Sequence, residues 1–141
     1  MSLNTIKVTG KIQIFENGKL VLEKNNLVVN SGTELICDML KDKSPDALGW
    51  IAVGTDNTTV SASDAALFSE LDRKAATNVT AGVSTFIIET AFDLSEALGT
   101  WREAGIFNAA SLGIMFNRIN INYIKGASNV TVRFTITFTT S

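Results

Sequence analysis

Between Val130 and Thr139 the chain alternates without a slip. Val130, Val132, Phe134, Ile136 and Phe138 stand against Thr131, Arg133, Thr135, Thr137 and Thr139. A helix, with about 3.6 residues per turn, scatters those five apolar side chains around its axis, whereas a strand collects them on one face. The segment thus has a core face and a threonine-rich face turned to water or to a partner. Valine and threonine, branched at Cβ, favour the extended state as well.

Similar signals recur along the chain. Residues 11–16 and 20–22 flank Asn17-Gly18, a dipeptide that accepts the positive φ angles of a tight hairpin. Residues 27–29, 50–53, 74–79, 84–93, 100–108 and 113–122 read as further strands. One helix interrupts them, over about residues 32–42. Ser31 and Glu34 have capping-box spacing, and Leu35, Ile36, Met39 and Leu40 form its apolar stripe. Lys41 and Lys43 suit its C-terminal end, and the only proline, Pro45, follows it. Residues 61–74 carry shorter helical signals, with Ser63 as an N-cap before Ala66, Leu67 and Leu71. The expected fold is mainly all-β: an antiparallel β-sandwich of about seven to eight strands with one short capped helix packed on it. Its 141 residues are expected to form a single domain, 1–141.

Composition narrows function by exclusion. Charged residues are 18% of the chain and the net charge is -2. No basic run tracks a phosphate backbone, so nucleic acid is not an expected partner. Apolar runs fall well short of the roughly 20 residues that span a bilayer, and no leader-like segment opens the chain. The chain has no histidine, which removes Ser-His-Asp and Cys-His catalysis and the commonest zinc ligand. A single cysteine, Cys37, precludes an internal disulfide and reads as a semi-buried, inert thiol of the helix. No cofactor or metal is expected.

Paired carboxylates remain the one catalytic arrangement open to this composition. Glu89 with Asp93, Glu96 with Glu103, and Asp64 with Glu70 are the candidates, and nothing in the spacing singles one out. Asp56, Asn57 and Asp64 lack calcium-loop spacing, and Gly54 belongs to no phosphate-binding motif. Trp50, Trp101 and Tyr123 offer a sugar-stacking platform, yet Trp50 and Trp101 each begin an apolar run, and core burial is the favoured expectation. Asn117, Asn120 and Asn122 suit a polyol or a wet face.

The stretch Trp101-Arg-Glu-Ala-Gly-Ile-Phe107 sets Arg102 beside Glu103. On a strand these two point apart, with Trp101, Glu103 and Gly105 on one face and Arg102, Ala104 and Ile106 on the other. Glu103 therefore needs a partner from elsewhere, and Arg73 and Arg118 are the candidates. The expectation is an ion-pair cluster of Glu70, Arg73, Glu103 and Arg118 that ties residues 61–74 to the sheet. Arg102, Trp50, Trp101, Asp56 and Asn57 are the residues left to face an interface or a ligand.

Several of these elements resemble a pattern in virion proteins of tailed bacteriophages and prophages. The elements are Asn30-Ser-Gly-Thr-Glu-Leu35, Trp50-Ile-Ala-Val-Gly-Thr55, Ser63-Asp-Ala-Ala-Leu67 and Glu70-Leu-Asp-Arg-Lys74. After them come Trp101-Arg-Glu-Ala-Gly-Ile-Phe-Asn108, Met115-Phe-Asn-Arg118 and the closing Val130-Thr-Val-Arg-Phe-Thr-Ile-Thr-Phe138. The resemblance covers most of residues 26–139. Asp56 departs from it, standing where the pattern often has a second glycine, and no proline follows Thr58-Thr59. The resemblance implies a non-enzymatic structural component of a tail, tail fibre or baseplate, assembled in the bacterial cytoplasm into the virion. Its implied partners are further copies of itself and other virion proteins. The alternative is a carbohydrate- or receptor-binding sandwich at a fibre tip, with a host-surface glycan as ligand.

Overall fold

The structure, a computed structural model, describes residues 5–41 and 46–140. Lys43 and Pro45, cited above as stop signals for the helix, lie outside the described residues. In chain order the elements are β1 (Ile6–Glu16), β2 (Lys19–Val28), α1 (Asn30–Leu40), β3 (Trp50–Gly54) and β4 (Glu70–Ala75). These are followed by β5 (Asn78–Ala81), β6 (Thr85–Phe92), β7 (Gly99–Phe107), β8 (Met115–Lys125) and β9 (Val130–Thr140). All strand pairs are antiparallel, in the order β4-β3-β7-β8-β2-β1-β9-β6-β5.

The mainly antiparallel β character and the one short helix among the described residues match the expectation, but the arrangement is not a clear sandwich of seven or eight strands. Among the described residues nine strands form one continuous sheet curled into a half-barrel. The reason lies in β2. Its first part pairs with β1 as far as Asn26, and then Leu27 and Val28 pair with Arg118 and Asn117 of β8. One strand thereby carries the hydrogen-bond ladder from one half of the sheet to the other.

The β1–β2 hairpin turns at Asn17 and Gly18, whose φ angles of 49 and 83 are those of a twist-matched two-residue turn. On the concave side Ile12, Ile14, Ile88, Val132 and Phe134 meet Ile51, Val53, Trp101, Ala104 and Ile106 in one core. Trp101 sits at its centre, edge-on to Phe92 at 5.2 Å and to Tyr123 at 5.3 Å, with its indole N–H donated to Ala97 O at 2.8 Å. The register of β7 on β8 shifts between Trp101 and Glu103. The expected alternation therefore fails there: Trp101 shares the core with Ala104 and Ile106, while Glu103 turns to the other side.

Helix α1 corrects several expectations. It begins at Asn30 with Val29 as its N-cap and no side-chain cap. Ser31 Oγ instead donates to Met115 O at 2.6 Å, fastening the first turn to β8. Gly32 lies so close to Phe116 O that a Cβ would collide with it. This approach buries Leu35 and half-buries Ile36, but leaves Met39 and Leu40 exposed, along with Cys37, which is not semi-buried. No helix forms over residues 61–74. The segment is a loop followed by β4, because its apolar and acidic side chains are claimed by the sheet beneath. Among the described residues no helix is long and apolar enough to cross a membrane.

Tyr123 supplies a check on this packing. Burial, then its hydrogen bond to Glu16 at 2.9 Å and that carboxylate's charge, push its phenol from an ordinary 10.0 up to about 12. An unfolded chain releases this proton near pH 10 while the folded chain holds it, so stability present below pH 10 is lost as pH rises towards 12. Chemical denaturation between pH 9 and pH 12 should show this decline, and Tyr123→Phe should make it shallower.

Candidate functional site

The outer face of β3, β7 and β8 is where the sequence places its charged candidates, and it is not solvated. Residues 55–69 cross it as a lid. Leu67 packs there with Ala52, Val29, Phe107 and Met115. Both faces of these strands are thus interior, which is why Ile51, Ala52 and Val53 are all buried and why Glu103 to Phe107 show no alternation.

Glu103 is the hub under the lid. Its side chain is 0% exposed. Oε1 accepts from Phe68 N–H at 2.9 Å and from Arg118 Nε at 3.0 Å; Oε2 accepts from Ser69 N–H at 2.8 Å and from Asp56 N–H at 3.3 Å. A carboxylate has about four acceptor positions, and here four donors occupy them. All four are taken by the lid and Arg118, and they hold Glu103 as a fixed anchor. Gly54 stands opposite Glu103 in the ladder, and a Cβ there would lie 2.5 Å from both Glu103 Oε2 and Ser69 O. Only glycine leaves room for the carboxylate and the lid together.

Arg118, also 0% exposed, is the diagonal neighbour of Glu103: it pairs with Gly105, and Glu103 pairs with Asn120. Its Nη1 donates to Thr58 O at 2.9 Å and to Asp64 Oδ2 at 3.2 Å. Nη2 lies 3.7 Å from Asp56 Oδ1, and the guanidinium stacks 4.3 Å from the centre of the Phe68 ring. Asn120 reinforces the same lid, donating to Thr58 O at 2.9 Å and accepting from Val60 N–H at 3.0 Å. Asp64 also accepts from Ser61 N–H at 2.9 Å, shaping the turn read above as a helix start. Asp56 accepts from Thr58 N–H at 2.7 Å. Hydrogen bonds from Thr58, side chain first, hold the Asp56 carboxyl below its ordinary range, with the charge of Arg118 a smaller contribution.

Arg73 and Glu70 do not join this cluster. Strands are about 4.8 Å apart, and Arg73 on β4 is two strands from Glu103, whereas Arg118 is one. Arg73 stacks 3.7 Å over Phe107 and grips Glu70 through Nη2 at 2.6 Å and Nε at 3.2 Å. Its Nη1 donates to Ala109 O and Leu112 O, both at 2.9 Å. The expected four-residue cluster is therefore two fastenings, one holding residues 55–69 and the other the β7–β8 connection.

Arg102 is half-buried, does not meet Glu103, and makes no ion pair among the described residues. Trp101 is fully buried and offers no stacking surface, and Trp50 is half-buried against the Leu67 cluster. Asn57 is exposed at the tip of the lid. The other carboxylate candidates are also engaged. Glu89 pairs with Arg133 at 2.8 Å, Glu96 with Lys74 at 2.7 Å, and Asp93 accepts from Ser95 N–H at 2.9 Å. Sequence reasoning passed over Asp64 and Asn120 as lid partners and Asn117, whose Oδ1 accepts from Ile106 N–H at 2.9 Å where the ladder slips. The only signal for the two asparagines was their nearness to Arg118 in a stretch dense in asparagine, and Asp64, 54 residues away, had none.

Compared with known proteins, the chain matches no family model, no curated sequence and no solved structure.

Removing one member of the buried pair should cost about 3–5 kcal/mol, since an unpaired buried charge remains. In urea denaturation, Glu103→Gln and Arg118→Met should each show a loss of this size. The double variant should lose less than their sum, because the two are coupled by about 0.5–3 kcal/mol. Arg73→Lys separates the two fastenings: amide exchange should quicken at Ala109 and Leu112 and stay unchanged at Phe68 and Ser69.

Proposed function

We propose that the chain is a non-enzymatic structural component of a tailed-phage or prophage virion, of the tail, tail fibre or baseplate, acting through protein–protein assembly. The observation that carries this reading is how the residues of the resembling motifs are used. Gly54, Asp64, Glu70, Arg73, Glu103 and Arg118 come from five separate stretches, and all serve to fasten loops to one sheet. A pattern devoted to holding loop geometry suits a part that must present a fixed shape to its neighbours, where a catalyst would keep a polar group free. The finer description as a two-sheet sandwich belongs to the same reading, with the two halves joined through β2 as its sheets. The convex face, with Thr131, Thr135 and Thr137 half-buried, and the lid tip at Asn57 are the surfaces that would meet further copies or other virion proteins.

Mass spectrometry of density-purified particles from an induced host carrying this gene tests the proposal. The chain should be present in fixed stoichiometry with tail proteins. Intact particles that lack it, while the cells contain it, would refute the reading.

A further inference from the structure

Where β2 leaves β1 for β8, the sheet opens a wedge. The β1–β2 pairing ends at Gly10 opposite Asn26, and β1 continues for four residues, back to Ile6, with only β9 beside it. The orientation of the main chain there follows from the register. Asn17 N–H donates to Asn129 O, in step with the β1–β9 pairing, so odd-numbered residues of β1 turn their main-chain groups to β9. The even-numbered Ile6 and Val8 therefore turn theirs into the wedge. On the other wall, Val29 N–H donates to Phe116 O in step with the β2–β8 pairing, which turns Val28 to the wedge as well.

The wedge holds a cavity of about 600 Å³ lined by Ile6, Val8, Gly10, Asn26, Val28 and Thr33 among others, none of them charged. At its closed end the Asn26 amide lies over Gly10, at a place where a Cβ on Gly10 would clash with it. Both Oδ1 and Nδ2 of that amide are shielded and lack a hydrogen-bond partner among the described residues. An amide in this state costs stability until a donor and an acceptor reach it.

We infer that this wedge is a docking cleft for an extended, uncharged polypeptide segment of another chain, which adds as a strand against Ile6–Val8. Every unsatisfied group in the wedge is of the kind a peptide backbone satisfies, an N–H or C=O on a strand edge or the peptide-like amide of Asn26. Water meets the outer edge groups of the free chain; the amide is closed to water and peptide alike as it stands, so an entering strand engages it by turning the Asn26 side chain off Gly10. The absence of charge in the lining selects against charged segments, which would lose solvation without gaining a partner. The inference rests on the geometry and lining of the wedge and holds whether or not the chain is a virion component.

The test uses the intact protein and a defined probe, the capped peptide acetyl-Thr-Val-Asn-Val-Thr-amide. Its controls are the same peptide N-methylated at both valines and a version with lysine at both. With the unmodified probe, amide exchange at Ile6 and Val8 should slow by about tenfold or more, and the Asn26 side-chain NH₂ resonances should move. Both controls should fail to do this. Val8→Pro removes a wedge-facing N–H and no ladder bond, because Lys7 and Thr9 carry the pairing with β9, and it exchanges one half-buried apolar side chain for another, so the variant should fold and lose the protection at Ile6. Absence of protection with the unmodified probe overturns the inference. So does equal protection by the N-methylated peptide, or protection at the free β5 edge (Val79 and Ala81) in place of the wedge.

Discussion

A carboxylate with no access to water must find its solvation in the protein, and Glu103 finds it in residues 55–69. Three backbone N–H groups of that loop and one arginine nitrogen surround it. The dependence runs both ways. Without the loop, Glu103 and Arg118 would sit on a wet sheet face and their mutual attraction would be small. Without the pair, the loop would have few reasons to lie flat, since its tight apolar contact with the sheet centres on Leu67. Together they turn the outer face of β3, β7 and β8 into a second interior. The small residues in that face follow from the same constraint, with Gly54 under the carboxylate and Gly105 facing Leu67 and Asn117 O.

The second structural device is the strand switch of β2. By pairing first with β1 and then with β8, it lets a single ladder bend round a core built from both halves of the sheet. The two devices are linked through β8. Arg118, which anchors the lid, is also the residue with which Leu27 pairs just after the switch. Helix α1 follows two residues after β2 ends, and Ser31 and Gly32 bind it to Met115 and Phe116 of the same strand. β8 thus holds the lid on one face, the helix at one end and the second half of the sheet along one edge.

Much of this was legible in the sequence where one local rule governs. The alternation of β9, the Asn17-Gly18 hairpin and the strand ending at Gly54 all emerged with close boundaries, because period two and turn chemistry act over a few residues. Legibility failed where tertiary contact overrides local preference. Ser31 and Glu34 look like a capping box, yet the hydroxyl goes to a carbonyl of β8 instead. Ser63 and Leu67 look helical in spacing, but Leu67 is the plug of the lid and Asp64 a ligand of Arg118. The need of Glu103 for a distant arginine was readable from its place on an apolar strand. Which arginine was not, because that choice depends on strand order, and β4 lies two strands away while β8 is adjacent.

The same strand order explains why two similar arginines do different work. Arg73 and Arg118 lie in one cross-strand row, on either side of Ala52 and Gly105. Those two small residues leave a trough between the arginines that Leu67 fills. Each guanidinium then turns away from the trough towards the nearest loop carbonyls: Thr58 O for Arg118, and Ala109 O and Leu112 O for Arg73. Each also stacks on a phenylalanine, Phe68 or Phe107. The single ammonium of a lysine could not supply the planar fork that bonds a carboxylate, caps loop carbonyls and covers an aromatic face at once. The arginines are required by geometry before charge. A chain that alternates so strictly elsewhere abandons alternation here because two loops are built into its sheet.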